Sequence, residues 1–70
     1  MTLNKVEIGG EYRIVACSAP HKTRSKLETL GLVPGERISV IQSTGSGIII
    51  EVKHSRLAIA HDLAGSLIVS

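Results

Sequence analysis

Short runs of alternating apolar and polar residues dominate the chain and predict a β-rich fold. Five such runs are typical of strands: residues 12–17, 37–42, 48–53, 57–60 and 67–69. On the first strand the alternation places Tyr12, Ile14 and Ala16 on one face. The apolar residues are mainly Ile, Leu and Val, and β-branched side chains pack well on a pleated sheet. The pattern therefore predicts an all-β domain with five short strands.

A helix is predicted between the first two strands, over residues 20–30. This segment is polar apart from Leu27 and Leu30, which lie three residues apart and so share one helical face. Either Ser18 or Thr23 would supply the hydroxyl that caps the first turn. The predicted fold class is therefore all-β with a small α insertion.

The helix is predicted to end at a glycine and to lead into a tight turn. Gly31 suits the position after the helix because glycine tolerates positive φ, and Leu32 can then fold back on the last turn. In residues 33–36, Pro34 and Gly35 fit the two central positions of a type II turn. We expect the three leucines of this region to be core residues that seal the open side of a barrel.

Three further breaks complete the pattern. Ser43–Gly47 is interpreted as a flexible hairpin loop, Lys53–Arg56 as a polar turn and His61–Gly65 as a single helical turn before the last strand. Five strands with one helix and one helical turn describe a small, partly open β-barrel.

The length and charge of the chain limit the functions that this barrel can have. Seventy residues bury only about 60% of the unfolded chain's surface, which allows a single domain over residues 1–70 and excludes a two-domain enzyme with a deep cleft. The net charge of +2 is too small to require a polyanionic partner. A single cysteine, no secretory signal pattern and no apolar stretch long enough for a bilayer predict a soluble, cytoplasmic protein.

The order of these elements and of the breaks between them resembles the ferrous iron transport protein A (FeoA) family nearly from end to end. The pattern that is similar to the family's helix-to-strand signature is Leu27-x-x-Leu30-Gly31-Leu32-x-Pro34-Gly35, followed by the alternating Ile38 and Val40. The segments 57–59, 63–64 and 68–69 resemble the family's strand, short helical turn and closing strand. The Ser/Thr/Gly run at 43–47 departs from the Gly-Asp/Asn-Pro-like loop that is frequent in the family.

The resemblance implies both a fold and a role. The fold is an SH3-like five-stranded barrel in which the signature residues are mainly structural. The role is that of a small accessory protein that binds the cytosolic GTP-binding region of the FeoB transporter and modulates ferrous iron uptake. The resemblance implies no catalysis and no cofactor, and contact with the membrane only through the transporter. The same module occurs as a C-terminal domain of metal-dependent repressors, so an alternative is a metal- or peptide-binding module of a regulator.

Four side chains have the chemistry of ligands for Fe²⁺ or Zn²⁺: Cys17, His21, His54 and His61. Their spacing contains no Cys-x-x-Cys or His-x-x-x-His pair, which favours solvated or partly buried structural roles. Cys17 has no base marked beside it for nucleophilic catalysis, and the 43–47 loop lacks the lysine of a phosphate-binding loop. The residues therefore predict neither an enzyme nor a bound cofactor.

Two basic segments are the candidate partner-binding sites. They are a helix face with Lys22, Arg24 and Lys26 and a turn with Lys53, His54 and Arg56. The Ser43–Gly47 loop is a third candidate, and the sequence does not choose between the three. Nucleic acid is an alternative partner that the absence of Phe and Trp disfavours, since only Tyr12 could stack on a base. Ile49 lies between two other isoleucines and leaves homo-oligomer formation open.

Overall fold

The strands of the computed structural model, which describes residues 1–70, form one antiparallel sheet. In chain order the elements are a 3-10 helix (Leu3–Lys5), β1 (Glu11–Cys17), α1 (His21–Thr29), β2 (Arg37–Ser43), β3 (Gly47–Val52), β4 (Ser55–Ala60), α2 (His61–Ala64) and β5 (Leu67–Val69). The strand order is β4-β3-β2-β1-β5, and the sheet is not closed. The mostly-β fold, the five strands, the helix after the first strand and the helical turn before the last are confirmed, with bounds that differ by at most two residues.

Two irregularities bend the sheet around its core. The β1–β5 register shifts between Ile14 and Ala16, and the β2–β3 register shifts between Val40 and Gln42. Bulges of this kind bend a strand and increase its local twist. The β3–β4 hairpin is regular over its six pairs. The bends therefore fall at the β2–β3 pair and at the β1–β5 pair, and they let one face of the sheet enclose the core.

The two chain ends meet at the β5 edge of the sheet. The Val69 N–H donates to the Met1 carbonyl at 2.7 Å, and Thr2 forms an isolated bridge to β5. Ser70 exchanges two backbone hydrogen bonds with Arg13 of β1, at 2.9 and 3.0 Å. The first and last residues are thus held by the sheet.

Thirteen buried apolar residues form the core, which contains no buried polar side chain. They are Leu3, Ile14, Leu27, Leu32, Ile38, Val40, Ile48, Ile50, Val52, Ile59, Ala64, Leu67 and Val69. In β3, Ile48 and Ile50 are buried, whereas Ile49 between them is half-buried and lies opposite Ala58 of β4. Self-association through Ile49 stays a prediction.

Leu30 does not join the core, so the expectation for the three leucines is wrong at this residue. Its side chain is 47% exposed, whereas Leu27 and Leu32 are each 2% exposed. The Leu32 N–H donates back to the Leu27 carbonyl at 3.0 Å, in the Schellman arrangement that Gly31 permits with a φ of +94°. The reversal turns Leu32 onto the last helical turn and leaves Leu30 outside. Gly35 also has a φ of +94°, as the predicted type II turn requires.

The start of α1 has no side-chain cap, so the expected Ser18 or Thr23 cap is wrong. Pro20 occupies the N-cap position, and its carbonyl accepts a hydrogen bond from the Arg24 N–H at 2.9 Å. The Ser18 hydroxyl donates instead to the Ser66 carbonyl at 3.2 Å, and Thr23 already lies inside the helix. Neither helix combines the length and apolar character that crossing a membrane requires.

Candidate partner-binding surface

The four side chains with metal-binding chemistry lie in different parts of the fold. Cys17 ends β1 and is half-buried, His21 begins α1, His54 lies between β3 and β4, and His61 begins α2. No group of three or more His, Cys, Asp or Glu side chains comes together in a way that could hold a metal ion. The fold thus does not assemble these four residues into one site.

His61 fixes the loop between β2 and β3. Because a carbonyl can only accept, the His61 Nε2–H donates to the Thr44 carbonyl, at 2.7 Å. The Thr44 hydroxyl accepts hydrogen bonds from the N–H groups of Gly47 at 3.1 Å and Ser46 at 3.3 Å. This role of Thr44 was not predicted from the sequence. The signal was present, since a threonine before a short Gly/Ser run often bonds the backbone a few residues further on.

The basic residues of α1 occupy two sides of the helix. Lys22 and Lys26 are four residues apart, and Leu30 at the C-cap continues their row at the same spacing. Arg24 lies on the other side of the buried stripe, four residues before Glu28, which is the only acidic residue of the helix. All three basic side chains are exposed. The lysine side is therefore the cationic side of the helix, with no acidic residue of α1 on it.

Lys53 and His54 form the tight turn between β3 and β4. Both residues are exposed, and both have positive φ values, 51° and 66° respectively. Positive φ at both central residues is the mark of a type I′ turn, and a left-handed conformation costs about 1–2 kcal/mol for a residue other than glycine. The predicted turn to Arg56 is shorter in the structure, because Arg56 belongs to β4 and lies opposite Glu51. Arg56 therefore has an acidic cross-strand neighbour.

The tip of the β3–β4 hairpin lies on the C-terminal end of α1. A Cβ atom placed on Gly31 would be 3.8 Å from Cδ of Lys53 and 4.0 Å from its Cε. Lys53 thus covers the residue after the helix, where the partial negative charge of the last carbonyls favours a cation. Two of the three candidate segments therefore meet at Gly31. We call Lys22, Lys26, Leu30, Lys53 and His54, which belong to these two segments, the helix–turn surface.

The third candidate, the 43–47 loop, lies at the opposite end of β3 from the helix–turn surface. β3 has six residues, and a strand rises about 3.3 Å per residue, so its two ends are roughly 17 Å apart. The loop is held against α2 by the His61 hydrogen bond. It therefore does not contribute to the helix–turn surface.

Comparisons with known proteins agree on the family. The FeoA domain model matches residues 1–70, and no curated protein sequence matches the chain. The crystal structure of an iron uptake regulatory protein (FeoA) is 37% identical with a TM-score of 0.90, over 99% of this chain and 93% of that one. Stenotrophomonas maltophilia FeoA complexed with zinc, described as a procaryotic SH3 domain protein, is 21% identical with a TM-score of 0.87, over 100% and 89% of the two chains.

The same fold occurs inside a larger protein. The crystal structure of ScaR with bound Cd²⁺ is 21% identical with a TM-score of 0.89, over 99% of this chain but only 34% of that one. An identity this low shows likeness of fold alone. The match to the family model over all seventy residues is the stronger result. The chain therefore belongs to the FeoA family of ferrous iron transport accessory proteins, which have an SH3-like fold.

Proposed function

We propose that the protein binds the cytosolic GTP-binding region of the FeoB transporter through the helix–turn surface. Binding in the cytoplasm modulates ferrous iron uptake, and the protein carries out no reaction of its own. The observation that carries this proposal is an exposed leucine, Leu30, that follows Lys22 and Lys26 at a spacing of four on the helix and immediately precedes Gly31, which Lys53 approaches. Membership of the FeoA family supports the pathway.

Leu30 supplies the apolar contact at the centre of the proposed interface. Complete burial of a leucine stabilises by about 1.5–3 kcal/mol, and Leu30 retains 47% of its exposure, so its burial would contribute about 1 kcal/mol. Interface energy is concentrated in a few desolvated central side chains, with polar residues around them. A partner recess that accepts one leucine is therefore the expected complement.

The lysines supply attraction over a longer range. Lys22, Lys26 and Lys53 are all exposed, and exposed charges of one sign accelerate association with an acidic partner surface more than they strengthen the final complex. Such attraction is screened over about 8 Å at physiological salt. The association rate is therefore expected to fall as salt rises.

Calorimetric titration into the purified cytosolic GTP-binding region of FeoB is the direct test. The titration is made with a GTP analogue, with GDP and without nucleotide, each at two salt concentrations. Binding in any nucleotide state supports the proposed partner, and weaker binding at high salt supports the role of the lysines. Absence of binding in every state contradicts the proposal.

Matched variants separate the helix–turn surface from the rest of the protein. Lys26→Glu is expected to weaken binding about fivefold, because an exposed ion pair contributes up to about 1 kcal/mol. Arg24→Glu reverses the same charge on the other side of α1 and should change affinity little. Leu30→Ala should weaken binding, whereas Val15→Ala, at a side chain that is 49% exposed in β1, should not. Equal effects within either pair would exclude this surface.

The alternative functions predict different ligands. The likeness in fold to ScaR supports a second candidate, a metal- or peptide-binding module of a regulator. A metal titration followed by the ring resonances of His21, His54 and His61 would distinguish it. Nucleic acid binding has less support, because Tyr12 packs against the core and its hydroxyl accepts the Glu7 N–H at 3.1 Å.

A further inference from the structure

Strand β4 forms one edge of the sheet and pairs with a neighbouring strand, β3, on one side only. The β5 edge, by contrast, is paired with the first residues of the chain. Natural edge strands are usually protected by a bulge, a proline or a charged residue near their middle. β4 has no proline, its pairing with β3 has no bulge, and its only charged residue, Arg56, is the second of six. An edge of this kind is a template for a further strand.

The geometry of the β3–β4 hairpin fixes which backbone groups of β4 point away from β3. A two-residue turn is closed by a hydrogen-bonded pair, here Val52 and Ser55, and hydrogen-bonded pairs then alternate along the two strands. The N–H and C=O groups of Arg56 and Ala58 therefore point outward. None of the backbone bonds outside the helices and strands involves a residue of β4, and no side chain bonds to these groups.

The last residue of β4 follows the same alternation. The Thr44 N–H donates to the Gly47 carbonyl at 2.7 Å, so the backbone of Gly47 bonds toward β2. Ala60, which lies opposite Gly47, therefore has its N–H turned away from β3. Arg56, Ala58 and Ala60 are all exposed, so three outward N–H groups lie in one row along the edge.

This row is complementary to itself when two copies meet in antiparallel orientation. With Ala58 opposite Ala58 of the second copy, Arg56 lies opposite Ala60, and every outward N–H has a carbonyl across from it. A register with Arg56 opposite Arg56 would place like charges together, which is destabilising. A register with Arg56 opposite Ala58 would leave Ala60 beside the turn residue His54, without a strand opposite. The backbone and the charges therefore favour the register centred on Ala58.

The charges and side chains around the row fit the same register. Asp62, which is exposed, lies two residues after Ala60, so the arginine end of each strand would meet the acidic end of the other. Ala58 lies opposite the half-buried Ile49 of β3. Pairing of two copies would extend this apolar row across the junction, with only small side chains at its centre.

We propose that β4 pairs edge to edge with β4 of a second copy of this chain, with the two Ala58 residues opposite each other on a two-fold axis. The match of Arg56 to Asp62 favours a second copy over a foreign strand, because symmetry supplies it twice. The six residues of β4 are far fewer than the roughly 20–30 per side of a standard interface, so the dimer is weak and forms only at high concentration. This inference does not rest on the proposed FeoB contact.

Nuclear magnetic resonance of the whole chain in a dilution series tests the proposal. The amide protons of Arg56, Ala58 and Ala60 are expected to exchange with solvent more slowly as the concentration rises, because pairing protects them. In a mixture of isotope-labelled and unlabelled protein, contacts between copies should join the Hα of Leu57 to the Hα of Ile59, which become a non-hydrogen-bonded pair in this register. Exchange rates that do not depend on concentration, or contacts between copies at other residues only, would overturn the proposal.

Two substitutions at Ala58 should block the pairing in different ways. Ala58→Lys places like charges opposite each other and should weaken the dimer about fivefold. Ala58→Pro removes one outward N–H from each copy, leaves the bonds to β3 in place and should weaken the dimer about tenfold. Gln42→Lys is the control, because Gln42 is exposed in β2 and lies opposite Ile49, in the same row but two strands from the edge. Equal weakening by the two lysine variants would mean that net charge alone is responsible and would overturn the proposal.

Competing peptides distinguish a second copy from a foreign strand. The probe is the capped peptide acetyl-Ser-Arg-Leu-Ala-Ile-Ala-His-Asp-amide, which has the sequence of residues 55–62. The comparison peptide, acetyl-Ser-Thr-Val-Thr-Val-Thr-Ser-Gly-amide, also favours an extended conformation but has neither charge. Only the first peptide is expected to slow the exchange of the Ala58 amide in dilute protein. Equal protection by both peptides would show that the edge accepts any extended strand and would overturn the assignment to a second copy.

Discussion

Gly47→Ala should loosen the start of the β3–β4 hairpin. Gly47 is buried and pairs with Ala60, and a Cβ atom added there would lie 2.5 Å from the backbone oxygen of Ile59 and 3.1 Å from its carbonyl carbon. Contacts this short to backbone atoms force the two strands apart, because no flexible side chain can move instead. Overpacking of this kind costs about 1–3 kcal/mol of unfolding free energy.

The expected loss is large for a chain of this length. A seventy-residue domain has an unfolding free energy of roughly 4–10 kcal/mol, and each kcal/mol moves the unfolding midpoint of such a domain by about 4–8 °C. Gly47→Ala should therefore lower the midpoint by roughly 5–20 °C, measured by thermal and urea unfolding with circular dichroism. The matched control is Gly45→Ala, two residues earlier, where an added Cβ would meet nothing within 4 Å.

Gly45→Ala is expected to change the unfolding free energy by less than about 0.5 kcal/mol, as surface substitutions usually do. Equal stability of the two variants would refute the reasoning, because it would mean that the approach of β4 to Gly47 does not limit the side chain at this position. Added disorder in the amides of residues 44–46 only in the Gly47 variant would support it, since Thr44 bonds to both the N–H and the carbonyl of Gly47.

Four substitutions elsewhere in the chain give expectations that unfolding experiments can check. Leu27→Ala should lower the unfolding free energy by about 2–5 kcal/mol, whereas Leu30→Ala should lower it by less than about 1 kcal/mol. Equal losses would mean that both leucines are core residues. Gly31→Ala should lower the unfolding free energy by about 1 kcal/mol, because alanine is strained at a φ of +94°. The added Cβ would not collide with a neighbour, since the nearest atom is 3.8 Å away. An unchanged unfolding free energy in urea would contradict the Schellman ending of the helix. Arg37→Glu should raise the unfolding free energy by about 0.2–1 kcal/mol, because it places a negative charge directly opposite Arg13 in the sheet. A gain in stability that persists in 0.5 M NaCl would contradict an electrostatic cause.

Local sequence signals predicted the elements but not the way in which they pack. Gly31 and Gly35 have positive φ as their positions in the pattern required, since the steric cost of this conformation is a property of each residue alone. The exposure of Leu30 could also have been predicted. In a Schellman ending the apolar residue after the glycine, here Leu32, is the one that contacts the last helical turns.

Long-range placement is what the sequence could not supply. The contact of Lys53 with Gly31 joins residues 22 positions apart, and it depends on how the β3–β4 hairpin meets α1. The closeness of Arg13 and Arg37 depends on register and on which strand receives the backbone bonds of Arg13. A shift of one residue would move these side chains to the other face, and no local pattern distinguishes the two pairings. The helix–turn surface and the Arg13–Arg37 pairing therefore emerge only from the tertiary structure.

The meeting of the chain ends at the β5 edge sets the order in which we expect the sheet to form. β2, β3 and β4 are joined through residues 44–46 and 53–54, so pairing them closes only short loops and costs little chain entropy. β1 must find β5 across most of the chain, with Ile14 opposite Val69. Contacts between such distant residues slow folding, because their loop must close before they stabilise anything. The three-stranded meander should therefore form first and β5 last, so Arg13 gains its two backbone hydrogen bonds to Ser70 only in the final step of folding.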